Sequence, residues 1–257
     1  MLARAIHGVE YDDIHDEMVL PQPFSQAILT FRGGANGDEA PIRVIQGPLT
    51  GIYNYTDQVA IDPVHDEIYV PTGYPTNDRI LVFAREANGN VAPIRVLQGP
   101  NAFRGLVGLG GVAVDPVRNL LLVSGEAMDG TRGVMMFDRT AQGNVKPLRT
   151  VIGPTGRMRV SPEKGLFLVV IKPPRGESER DTGLEAPGDM AAESDKDYVG
   201  VWSVDDTGEV PPRWMIGGPQ GILKWIFGMA LNPKEKTVVV TDMRLNGVVT
   251  YSFPEIF

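Results

Sequence analysis

Side chains with a wide chemical repertoire are scarce in this chain of 257 residues, which has three histidines and no cysteine. His15 and His65 stand in matching settings, IHDE and VHDE, where an acidic neighbour could orient a ring nitrogen or share a metal ion. Because those settings repeat, they read as equivalent turns in separate copies of one unit, too far apart to hold a single ion. No Ser-His-Asp set is apparent, and without cysteine there is no thiolate nucleophile, thiolate metal site or disulfide. Pro173 to Asp197 gathers acidic residues, of which Asp189, Glu193, Asp195 and Asp197 could serve as a calcium loop or the segment as a lid. That stretch lacks the alternate spacing and central glycine of a dedicated calcium loop, so its composition reads as a surface insertion.

Arg43, Arg95 and Arg149 also recur, and repeated arginines invite a nucleic-acid reading. A formal net charge of -8 and a pI near 5.0 count against it. The arginines fall on the outer strands of different units, where charge discourages edge-to-edge association. No run approaches the roughly 18 apolar residues of a membrane helix, and Met1 to Asp12 lacks a signal-peptide core; an exported form would have lost its leader.

The elements that position these residues come from an internal repeat. Ala35 to Pro48 reads ANGDEAPIRVIQGP, Ala87 to Pro100 reads ANGNVAPIRVLQGP, and Ala141 to Pro154 reads AQGNVKPLRTVIGP, with a worn copy at Asp206 to Pro219. Around each lie short alternating strands such as QVAID, IYVP and RILVF, and Asn88-Gly89 signals a hairpin into PIRVLQ. Four strands per unit make a sheet too small to bury both faces, so radial stacking into an all-β propeller is predicted. Five blades are expected, near residues 7–48, 55–100, 109–154, 157–219 and 225–257 of one domain, the insertion at 173–197 interrupting the fourth.

The fifth unit ends after three strands, and Leu2 to Gly8 lies too close to Asp12 to cross from rim to axis. The last blade is therefore expected to be incomplete, or completed by a terminus or a partner, the alternative being an N-terminally truncated six-bladed ring. Phe31, Phe83, Phe137, Trp202 and Tyr251 close the third strand of each unit and read as wedges between sheets.

The copies of GVAVDP, IYVP, ILVF and ANGNVAPIR resemble NHL and related TolB-like repeats of bacterial proteins. The resemblance implies a propeller and leaves activity open, since such folds serve as scaffolds, sensors, lactonases and lyases. It also leads to the expectation of an extracytoplasmic, periplasmic or secreted, location. In gluconolactonase-type relatives a divalent metal sits at the axial mouth. The corresponding positions here are His7, Asp57, Gly110, Arg157 and Phe227, with only His7 and Asp57 suited to a calcium-like ion.

The long connections between blades share one end and collect Phe24, Tyr53, Asn54, Tyr55, Asp57, Tyr74, Phe103, Arg104, Trp225 and Phe227. Aromatics with arginine at a loop-built end suit recognition, or else plug the axis. The expectation is a non-catalytic propeller without cofactor. It binds a protein or polymer through Tyr53, Tyr55, Asp57, Tyr74, Phe103, Arg104 and Trp225, with a further contact at the open edge of the fifth blade. The alternative is a metal-dependent lactonase using His7 and Asp57.

Overall fold

The alternating apolar positions and their turn formers become short antiparallel strands. The structure, a computed structural model, describes residues 8–53, 56–73, 77–106, 111–172, 197–218 and 220–257. Blade 1 contains β1 (Glu10–Asp12), β2 (Glu17–Gln22), β3 (Ala27–Arg32) and β4 (Arg43–Gln46). Blade 2 contains β5 (Ala60–Asp62), β6 (Glu67–Thr72), β7 (Arg79–Ala84) and β8 (Arg95–Gln98). After the short β9 (Gly105–Leu106), blade 3 contains β10 (Val112–Asp115), β11 (Leu120–Glu126), β12 (Arg132–Asp138) and β13 (Arg149–Ile152). Blade 4 contains β14 (Met158–Ser161), β15 (Leu166–Ile171), β16 (Tyr198–Ser203) and β18 (Trp214–Gly217), and the two-residue β17 (Gly208–Glu209) between its last two strands joins the blade 3 sheet. Blade 5 has β19 (Ile226–Asn232), β20 (Thr237–Asp242) and β21 (Gly247–Ser252), a three-stranded sheet among the described residues.

The blades form a five-bladed β-propeller, in which the inner strands follow one another as β1, β5, β10, β14 and β19. Four apolar clusters fill the seams between successive blades. The wedge expected from the sequence explains them. Phe83 enters the seam between blades 1 and 2, Phe137 the next, and Trp202 the one after, each buried on the side of the preceding blade. Trp202 stacks on Phe167 at 5.9 Å between ring centres, and its indole N–H donates to Val210 O at 3.0 Å. Tyr251 packs against the cluster between blades 4 and 5. Phe31 is only half-buried.

The short turns also follow from residue type. Asp12 Oδ1 accepts the amides of Ile14 and His15, Asp62 Oδ1 those of Val64 and His65, and Asp115 Oδ1 those of Val117 and Arg118. Each turn then needs a left-handed residue, supplied by Asp16, Asp66 and Asn119 at φ 54°, 57° and 55°.

The structure corrects the reading of Asn88-Gly89 as a tight hairpin. The strand after it starts at Arg95, and the motif instead reaches across to the preceding blade. Gly89 forms a parallel bridge with Ile45, its N–H donating to Val44 O at 2.6 Å and its O accepting from Gln46 N at 3.1 Å. Asn88 Oδ1 accepts from Val44 N at 3.0 Å, and Asn90 Oδ1 from Leu49 N at 2.8 Å. In blade 3, Gly143 grips Val96 and Gln98 in the same way, and Asn144 Oδ1 accepts from Asn101 N at 2.7 Å. In blade 4, β17 pairs parallel to β13. The repeated motif is thus a latch that closes each blade's outer strand with the next blade, and its Asn amides serve the neighbour's backbone rather than a local turn.

Candidate functional site

At the short-turn end the recurring charges pair inward. Arg95 holds Glu67 through two bonds of 2.7 Å, and Arg139 of blade 3 reaches the same carboxylate at 2.5 Å. Tyr69 O–H also donates to Glu67 at 2.6 Å, so one carboxylate joins two blades. Burial alone would raise the Glu67 carboxyl, but the bonds from Arg95 and Tyr69 and the charges of Arg95 and Arg139 hold it below its ordinary 4.5. Arg43 likewise pairs with Glu17, and Arg149 with Asp205 at 3.1 Å. Arg43 and Arg95 are therefore largely buried beside a carboxylate of their own sheet, whereas Arg149 meets the exposed Asp205 at the surface. Sequence periodicity placed them on outer strands, but the partners lie 26, 28 and 56 positions away.

His15 and His65 remain turn residues, each with Nδ1 2.8 Å from the preceding aspartate. His15 Nε2 comes within 3.4 Å of Asp66, so equivalent turns of adjacent blades lie closer than the repeat spacing implied. Among the described residues no group of three or more His, Asp or Glu could hold a metal ion. His7, Asn54, Tyr55, Tyr74, Gly110, Asp189, Glu193 and Asp195 lie outside the described residues. Asp197 is buried, and its Oδ2 accepts from Ile226 N at 2.8 Å.

At the long-connection end, Phe24 and Tyr53 are exposed, Tyr53 by 50%. Tyr53 N–H donates to Thr72 Oγ1 at 2.8 Å, which ties this loop to the end of β6. Arg104 is exposed and pairs with Glu126 at 3.0 Å. Trp225 is half-buried, with the Lys172 ammonium 5.0 Å and the Arg244 guanidinium 5.3 Å from its ring centre. Phe103 departs from the expected recognition set. It is 3% exposed and meets Phe137 edge-on at 6.4 Å, so it belongs to the seam between blades 2 and 3. Asp57 is also buried.

Around the axis, Arg157 donates to Phe227 O and lies 4.0 Å over the Phe227 ring. Burial pushes its guanidinium down from its ordinary value, and the charge of Asp57 acts in the opposite direction. A divalent cation at the position expected from the lactonase resemblance would meet this guanidinium and an aromatic ring, so the described residues at that position do not fit it. Across the axis, Arg159 of β14 pairs with Glu10 of β1 at 2.8 Å. This pair and the latch were the features sequence reasoning missed; the alternating pattern of β14, MRVS, put an arginine on the inner strand but not its partner.

At the rim, β21 is an edge strand among the described residues. Its sequence GVVTYS has no charge and no proline, and Val248 is 67% exposed. The blade 1 copy of the latch, Ala35 to Asp38, bonds within its own blade, Ala35 N–H donating to Arg32 O at 3.1 Å and Asn36 N–H to Glu39 Oε2 at 3.4 Å.

No family model and no curated protein matches the sequence. Solved structures do. A Kuenenia stuttgartiensis hydrazine synthase chain aligns with TM-score 0.63 and 13% identity, covering 96% of this chain. The chain spans 64% of that relative's length. The Cps50 (Swd1) β-propeller domain of Myceliophteria thermophila aligns at TM-score 0.55 and 9% identity over 98% of this chain and 68% of its own. A chain from a nidogen/laminin complex aligns at 0.51 and 13% identity over 99% of this chain and 82% of its own. The likeness is one of fold.

Proposed function

We propose that this propeller, of NHL-like repeat type, is a non-catalytic scaffold that binds a protein partner, and that the partner adds an extended strand to blade 5. The observation that carries this reading is the edge of β21, which pairs only with β20 among the described residues. Exposed edge strands commonly carry charge, proline or a cover, and β21 has neither charge nor proline. Strand addition supplies main-chain hydrogen bonds along such an edge, and alternate side chains set specificity. The blade 1 latch supports the same reading, since in blades 2 to 4 this motif grips the outer strand next to it. One structural relative comes from a complex of nidogen with laminin, which is consistent with a binding role. Tyr53 and Arg104, exposed at the long-connection end, offer a second contact area for the same partner.

A fluorescent peptide of sequence APIRVIQGP, copied from the blade 1 outer strand, tests the proposal by anisotropy. Saturable binding, weakened about tenfold by Val248→Lys together with Thr250→Lys, is the expected result. Absence of binding, or affinity unchanged by those exposed substitutions, would overturn it.

A further inference from the structure

We infer that the strand added at β21 is the N-terminal arm of a second copy of this chain, around Arg4 to His7, so that two copies exchange arms. The inference rests on the strand-addition reading above and names its partner.

The other blades show what an outer strand must supply. Near the start of each third strand, an aliphatic residue pairs with one on the outer strand: Ile28 with Ile45, Ile80 with Leu97, Val134 with Val151 and Val199 with Ile216. All of these side chains are buried. Each third-strand member stands three positions before the aromatic that closes its strand. Three positions before Tyr251 is Val248, and it is 67% exposed.

Outer strands also carry an arginine four residues before a glycine, as in Arg43/Gly47, Arg95/Gly99, Arg149/Gly153 and Arg213/Gly217. Arg4 and Gly8 repeat that spacing, with Ile6 at the place of Ile45, Leu97 and Val151. In the register of blades 1 to 3, Ile6 of one copy faces Val248 of the other, and Arg4 faces Thr250. An aliphatic pair of this kind stabilises an antiparallel sheet and covers Val248.

Reach decides between the chain's own blade 5 and a neighbour's. Only Gly8 and Val9 separate His7 from β1. Three peptide units cover at most about 11 Å. An outer strand stands three strand spacings, about 14 Å, from the inner strand of its own sheet. The root of the arm is held as well: Glu10 pairs with Arg159 at 2.8 Å, and a Cβ on Gly8 would come within 3.0 Å of Asp57 O. An arm that cannot reach its own rim can still enter a second copy, each giving one strand and receiving one. Inner strands begin, and outer strands end, on the side of the long connections. The two copies therefore meet through those ends, where Phe24 and Tyr53 are exposed.

Sedimentation of the full chain over a concentration series tests the exchange, and a reversible dimer is the expected result. Ile6→Asp and, separately, Val248→Lys should each weaken that dimer at least about tenfold. Mixing the two variants should restore association through the one intact arm and the one intact edge. A chain lacking residues 2–7 should be monomeric, with an unchanged circular dichroism spectrum, and should bind the free peptide LARAIHG. A monomeric full chain, a dimer indifferent to Ile6→Asp, or variants that do not complement each other would overturn the exchange. Strand addition survives that failure if the shortened chain binds APIRVIQGP; if it binds neither peptide, strand addition falls too.

Discussion

Between blades 2 and 3, Phe137 is wholly buried against Phe103, and Glu67, Arg95 and Arg139 tie the same seam at its short-turn end. Between blades 5 and 1, the equivalent aromatic, Phe31, is half-buried, and a cavity lined by Leu20 and Val239 takes the place of a packed cluster. One repeat therefore yields two kinds of junction. A wedge residue is fully useful only where a complete sheet precedes it, so burial at a repeated position depends on the neighbour as well as on the residue.

The largest expected effect sets those two aromatics against each other. Phe137→Ala should cost about 3–5 kcal/mol in denaturant unfolding, because a large cavity opens in a seam that cannot collapse. Phe31→Ala should cost less, about 1–2 kcal/mol, since its ring is only partly buried. Equal losses would mean that blades 1 and 5 pack as tightly as blades 2 and 3.

A middling effect is expected at the ion network. Glu67→Gln should destabilise by about 2 kcal/mol at neutral pH by leaving Arg95 and Arg139 poorly paired. The folded carboxyl titrates below its ordinary value, so its contribution is complete above that value and is lost as pH falls through the lowered one. Unfolding curves of wild type and Glu67→Gln should therefore stay apart at neutral pH and converge only as pH falls below the ordinary carboxylate value.

The smallest effect compares the latch copies. Asn90→Ala should cost about 1 kcal/mol by orphaning the Leu49 amide. Asp38→Ala, at the matching position of blade 1, should stay within about 0.5 kcal/mol by the same unfolding assay. A larger loss at Asp38 would reveal a partner for that latch.

Periodicity carried most of the architecture. The apolar runs in QVAID, RILVF and GVMMF identified strands because the sheets of blades 2 and 3 are covered on both faces by their neighbours, and the in-register aromatics identified the seams. The fifth blade, three-stranded among the described residues, was legible for the same reason. Asn88-Gly89 misled because its left-handed glycine, φ 78°, suits a tight turn as well as a bridge to another blade. Phe103 misled because a loop aromatic can fold inward, and only three-dimensional packing decides. The Glu10–Arg159 pair was not legible, since its partners stand 149 positions apart and only the closed ring brings them together.

The latch also gives assembly a direction. A blade's rim is fastened by the motif of its successor, about 45 residues downstream, as from Ile45 to Gly89 and from Leu97 to Gly143. On a ribosome, each sheet would emerge complete in its own strands yet stay unfastened until the following unit had left the exit tunnel. Stability would then accrue in steps from the first blade onward, each step trailing synthesis by about one repeat.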